Sequence, residues 1–130
     1  MDTPNGRVLV VDDDDAIRVM VERVLRREKY DVDSARDGFE AIEKLSQADY
    51  GTILLDLMMP RVDGHGVLQY LEQNRPEVKG SVIIMTANLP SGSDAARRQP
   101  IFRVLSKPFD IQQLVANVRE CTGKDGSDSE

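Results

Sequence analysis

Short apolar runs that do not alternate, each followed by a stretch of helical periodicity, leave this chain few ways to fold. Val8-Leu9-Val10-Val11 is the first such run, and Ile53-Leu54-Leu55 and Val82-Ile83-Ile84-Met85 share its character. A strand that is apolar at successive positions is buried on both faces, as in a parallel sheet covered by helices. Tyr30 to Ser34 instead alternates large and polar residues, which suits a half-exposed edge strand. Ile101 to Leu105 is a fifth candidate strand, interrupted by Arg103.

Helices are expected between the runs. Ile17, Met20, Val21, Val24 and Leu25 form one apolar stripe. Asp37 followed by Glu40 reads as a helix start with a capping-box acid, ahead of Ala41, Ile42 and Leu45. Val67, Leu68 and Leu71 mark a third helix that stops before Pro76. Pro90, Gly92 and Pro100 leave room for a short helix around Ser93 to Gln99. Asp110 with Gln113 starts the last one, with Ile111, Leu114, Val115 and Val118 facing inward and Gly123 as its C-cap. Strict strand–helix alternation specifies an α/β domain with right-handed crossovers, in which ligands gather at the carboxyl ends of the strands.

The chain has 130 residues, enough for one domain, here 1–123, followed by an acidic Gly/Ser tail, 124–130, expected to be disordered. Its net charge of −6 (17 basic, 23 acidic) lies entirely in residues 1–65, which hold 15 acids and 9 bases. That balance excludes nucleic-acid binding through phosphate contacts and favours cations near the acidic half. The single cysteine, Cys121, cannot form an intramolecular bridge, which fits a reducing compartment. No apolar run approaches the ~18 residues that cross a bilayer, and MDTPNGR has no signal-peptide core. The expected location is the cytoplasm, without membrane contact.

The strand ends are polar. The first run leads into Asp12-Asp13-Asp14-Asp15, the third into Asp56, the fourth into Thr86 and the fifth into Ser106-Lys107-Pro108. If these strands are neighbours, several carboxylates, a hydroxyl and an ammonium converge on one rim. Crowded carboxylates need a neutralising cation. Mg²⁺ (or Mn²⁺) suits them, because it takes oxygen ligands and keeps positions for water or phosphate. A carboxylate can also act as a nucleophile and form an acyl phosphate, with metal and lysine neutralising the phosphoryl oxygens and a hydroxyl donating to another. Asp56 fits the nucleophile. Asp14 and Asp15 read as helix caps and dipole partners, His65 and the pair Arg97 and Arg98 as surface residues, and Cys121 as core or half-buried.

Val10-Val11-Asp12-Asp13, Asp56-Leu-Met-Met-Pro-Arg-Val-Asp-Gly64, Thr86-Ala87 and Lys107-Pro108-Phe109 together resemble the receiver domain of bacterial two-component response regulators. The resemblance runs from about Arg7 to Thr122. It implies a flavodoxin-like, doubly wound, five-stranded parallel sheet in order 2-1-3-4-5 with five helices. It implies that Asp56 is phosphorylated, that Asp12 and Asp13 hold Mg²⁺ with the Met58 carbonyl, and that Thr86 and Lys107 contact the phosphoryl group. The Lys107–Pro108 bond is expected to be cis. The implied donor is a phosphohistidine on a sensor histidine kinase or histidine phosphotransfer protein, docking around Ile17 and at Pro108-Phe109. Phosphorylation would shift a two-state equilibrium and alter the binding of a downstream protein.

Two departures from the family pattern stand out. The switch position three residues before the lysine, usually Tyr or Phe, is Val104, which has no ring to relocate; Phe102, on the same face of the strand, is the candidate to take its place. The stretch from Asn88 to Arg103 is the second: Thr86 to Lys107 is one residue shorter than usual, with Gln-Pro in place of the small Gly-Ala turn before the fifth strand. Two other functions compete. A phosphatase of the haloacid-dehalogenase type needs a second Asp two residues after the nucleophile, where Met58 stands. A pseudo-receiver would bind partners without phosphorylation, although every residue for phosphorylation is present. The expected role is a phosphoacceptor, whether a single-domain regulator or part of a longer one, rather than an enzyme beyond its own phosphorylation and dephosphorylation.

Overall fold

Four of the apolar runs and the alternating one become strands of a single sheet. The computed structural model of the protein describes residues 6–56, 64–86, 103–107 and 109–122. In chain order these form β1 (Arg7–Val11), α1 (Asp15–Arg27), β2 (Asp31–Ala35), α2 (Gly38–Leu45), β3 (Thr52–Asp56), α3 (Gly64–Asn74), a 3-10 stretch (Pro76–Ser81), β4 (Val82–Thr86), β5 (Arg103–Ser106) and α4 (Ile111–Thr122). All strand pairs are parallel and the order is β2-β1-β3-β4-β5. The alternating strand lies at an edge, as its pattern predicts. The expected short helix around Ser93–Gln99, Phe102, the Gly123 cap and the tail fall outside the described residues, so four helices are described where five are expected.

Side-chain alternation along each strand divides the core in two. Leu9, Val11, Ile53, Leu55, Val82 and Ile84 face Ala41 and Leu45 of α2 and Val67, Leu68 and Leu71 of α3. Val8, Val10, Leu54, Ile83, Met85 and Leu105 face Val21 and Leu25 of α1 and Leu114 and Val118 of α4. Both faces of the central strands are thus sealed from water, which is why those strands read as unbroken apolar runs.

The helix ends follow from local chemistry. Asp14 caps α1 by accepting the Ile17 N–H at 3.1 Å. Asp37 caps α2 by accepting the Glu40 N–H at 2.9 Å. Glu40 does not close a capping box on Asp37; its carboxylate takes the Arg36 N–H at 2.8 Å and the Arg36 guanidinium instead. That pairing holds the Glu40 carboxyl below its usual pKa. Asp110 accepts the Gln112 N–H at 2.9 Å at the start of α4.

Helix α1 departs from its predicted stripe. Met20 is 38% exposed, while Arg18 is buried. At 3.6 residues per turn Arg18 lies about 60° from Val21, the centre of the buried face, and Met20 about 100°. The buried face is therefore rotated from the apolar stripe toward Arg18, a charged residue that an apolar pattern does not include.

Candidate functional site

Parallel pairing brings the acidic residues together. Val11 of β1 is in register with Leu55 of β3, so Asp12 and Asp56, each the next residue, emerge side by side at the carboxyl edge. On the far side of β3, Asp56 pairs with Met85 and Thr86 pairs with Ser106. Lys107, next after Ser106, reaches back over β4. Its Nζ donates to Asp12 Oδ2 at 2.8 Å and lies 3.4 Å from Asp56 Oδ2.

Asp12 is fully buried and Asp56 nearly so, whereas Asp13 is exposed. Buried carboxylates are costly unless paired and hydrogen-bonded. Asp12 meets that demand at every polar atom. Its backbone N–H donates to Ala35 O at 3.2 Å, its Oδ1 accepts the Asp14 N–H at 2.9 Å, its Oδ2 takes Lys107, and its carbonyl accepts from Arg18 Nη1 at 2.9 Å. For Lys107, burial acts to lower the pKa, but the hydrogen bond and charge of Asp12, with the charge of Asp56, outweigh it and raise the pKa above the ordinary lysine value. The ammonium therefore stays a fixed positive charge at the rim.

Among the described residues, Asp12, Asp13 and Asp56 form a group able to hold a metal ion, with one oxygen from each lying within 4.8 Å of the others. Oxygens on opposite sides of one Mg²⁺ are ~4 Å apart. A small side-chain rotation therefore lets the three share an ion, and a donor set made only of oxygens favours a hard divalent cation. Three carboxylates against one ammonium leave two formal negative charges, the complement of such a cation. Asp13 is the exposed member of the three, on the solvent side of the group.

The remaining predicted residues are placed as follows. Thr86 closes β4. Val104 is half-buried against the core on the α2/α3 side. Ile17 and Phe109 are partly buried against the core on the α1/α4 side. Met58 and Pro108, with the bond before Pro108, lie outside the described residues, as do Arg97 and Arg98. His65 is the second residue of α3. Cys121 is half-buried, its Sγ 3.6 Å from Ser81 O and 3.7 Å from Gly51 O, and burial raises the thiol pKa. Asp14 and Asp15 serve α1: Asp14 as its cap, Asp15 in an ion pair with Arg18 at 2.5 Å. The residue that sequence reasoning missed is Arg18. Its signals were its place beside Leu25, about 20° further round the helical wheel on the edge of the buried face, and its spacing of three from Asp15.

Comparison with known proteins agrees with this geometry. The family model for the response regulator receiver domain matches residues 8–119. The transcriptional regulatory protein ResD of Bacillus subtilis is 38% identical over 121 residues, covering 90% of this chain and 48% of ResD. The response regulator MprA of Mycobacterium ulcerans is 35% identical over 120 residues, covering 87% of this chain and 48% of MprA. The chain thus spans about half the length of the curated relatives it matches. Among solved structures, the receiver domain of Francisella response regulator 1452 superimposes with a TM-score of 0.82 at 28% identity, covering 91% of this chain and 97% of that one. The response regulator TrrA of Thermotoga maritima, solved in complex with Mg²⁺–BeF, gives a TM-score of 0.78 at 30% identity, covering 88% of this chain and 97% of that one. With the sheet order, the acidic rim and the lysine beside it in agreement with a family match over most of its length, the chain belongs to the response regulator receiver domain family.

Proposed function

We propose that this receiver domain takes a phosphoryl group onto Asp56 from a phosphohistidine donor, a sensor histidine kinase or histidine phosphotransfer protein, with Mg²⁺ held by Asp12, Asp13 and Asp56 and by the Met58 carbonyl. The observation that carries the reading is the meeting of three carboxylate oxygens within 4.8 Å beside Lys107. TrrA, solved in complex with Mg²⁺–BeF, supports Mg²⁺ as the ion.

An Asp56 carboxylate oxygen attacks phosphorus, the P–N bond to the donor imidazole breaks, and the imidazole leaves with the electron pair and takes a proton from solvent. The bound metal supplies charge neutralisation for the phosphoryl oxygens. Lys107, already held between Asp12 and Asp56, donates to an oxygen of the incoming group, and the Thr86 hydroxyl donates to another. Donor docking falls on the surface around Ile17 and on Pro108-Phe109. With Val104 at the switch position, readout to a downstream protein proceeds without movement of a ring there. The cytoplasm is the compartment that supplies such donors; no helix among the described residues is long and apolar enough to cross a membrane.

Incubation with a small acyl-phosphate donor tests the reading. Wild type should gain one phosphoryl group in Mg²⁺ and none after chelation, and Asp56→Asn should gain none under either condition. Equal labelling of Asp56→Asn would remove Asp56 as the acceptor.

A further inference from the structure

The exposed member of the metal group, Asp13, has no hydrogen-bond or ion-pair partner for its carboxylate among the described residues, yet its direction decides whether three oxygens meet. Its orientation is set through its backbone. The peptide joining Asp12 to Asp13 is planar, so the Asp12 carbonyl oxygen and the Asp13 N–H and Cα lie in one plane. That carbonyl accepts from Arg18 Nη1 at 2.9 Å, and Arg18 Nη2 is held by Asp15 at 2.5 Å. Arg18 is buried, one turn into α1, so the guanidinium is fixed at both ends and by its packing. On the other side of the same turn, Asp12 Oδ1 accepts the Asp14 N–H.

We infer that Arg18 is a positioning residue for the metal site: it clamps the Asp12–Asp13 peptide and so aims the Asp13 carboxylate at the divalent ion. The inference rests on the proposed Mg²⁺ site. It also has a sign that separates it from simple electrostatics. A guanidinium acting only as a nearby positive charge would repel Mg²⁺, and its removal would tighten binding. A guanidinium acting as a clamp preorganises the ligands, and its removal weakens binding. The Asp15 carboxylate pairs with the guanidinium and offsets its charge, which favours the clamp.

The test is a Mg²⁺ titration of the metal-free protein, followed by the backbone amide shifts of residues 12–14 and 56. Arg18→Met, which keeps an apolar stem and removes the donors, should bind Mg²⁺ roughly tenfold more weakly than wild type, the scale at which groups behind metal ligands act. Its Asp13 amide should broaden or divide before metal is added. Arg18→Lys, whose ammonium reaches a similar distance, should recover most of the affinity. If Arg18→Met does not fold, Arg18→Gln, two heavy atoms shorter, replaces it with the same expected loss. Unchanged or tighter binding in the folded Met or Gln variant overturns the inference while leaving the metal site intact. A wild type that shows no response to Mg²⁺ overturns the site itself and the inference with it.

Discussion

Lys29 carries φ of 73°, a left-handed conformation and the one positive value among the described non-glycine residues. It stands just beyond α1, where its N–H donates to Arg26 O at 3.0 Å and the Tyr30 N–H donates to Leu25 O at 3.1 Å. These two bonds close the helix in a Schellman motif, and Tyr30 and Leu25 join the same core face. Left-handed backbone costs a side-chain-bearing residue ~1–2 kcal/mol, and glycine's extra freedom in the unfolded chain costs ~0.5–1 kcal/mol. Lys29→Gly should therefore stabilise the domain by about 0.5–1 kcal/mol, read as a higher urea midpoint at unchanged slope. A lower midpoint would contradict this reading of the helix end. Lys29 was not legible in the sequence, and Arg18 left only its place on the helical wheel and its spacing from Asp15. A helix end of this kind is ordinarily marked by glycine, and an arginine in an amphipathic stretch reads as solvated until the carbonyl it must satisfy is located. Asp12, Asp13, Asp56 and Lys107 were legible because each follows a buried strand, where position alone determines which rim a side chain meets.

At the scale of elements, α2 and α3 are joined by a tether as well as by packing. Arg75, immediately after α3, donates through Nη1 to Leu45 O at 3.1 Å and to Ala48 O at 3.5 Å, around the C-terminus of α2, and pairs with Asp49 and Glu77. The last carbonyls of a helix lack partners within it, so the guanidinium serves as a C-cap delivered from another element. Arg75→Met keeps the aliphatic stem and removes the cap. It should lower stability by about 1–2 kcal/mol through the orphaned carbonyls, whereas Asp49→Asn, which weakens only an exposed pair, should cost under ~1 kcal/mol. Equal losses in the two variants, measured by urea unfolding, would assign the effect to the ion pair instead. Each strand and α-helix of the described residues was legible from its periodicity, whereas the 3-10 stretch Pro76–Ser81 was not, because one short turn carries no apolar repeat. The limits of elements were less so: β2 begins at Asp31 rather than Tyr30, since Tyr30 completes the α1 end, and β5 runs through Ser106. Those limits depend on which partner takes each backbone N–H, and composition does not encode that.

Over the whole molecule, one topological fact creates the site. In the order β2-β1-β3-β4-β5, β1 and β3 are adjacent although α1, β2 and α2 separate them in the chain, and β5 lies close enough for Lys107 to reach both. Residues 12, 56 and 107 meet only because every strand is parallel and ends at the same level. The two-sided core keeps that level fixed, since a slip of one residue would exchange the inward sets on both faces. The sequence carried this arrangement in its alternation of strands and helices, and the acidic excess in residues 1–65 marked the rim as cation-seeking. The spacing of the three carboxylates and the burial of Asp12 came only from the folded chain, because they depend on contacts across many residues.

If the rim works as proposed, it directs phosphorylation to a single carboxylate. Borohydride reduction of the phosphorylated protein turns an aspartyl phosphate into homoserine, and peptide mass mapping locates it. Homoserine is expected at position 56 and at no other acidic position after incubation with acyl phosphate and Mg²⁺. Homoserine at 12 or 13, or none anywhere, would contradict the proposal.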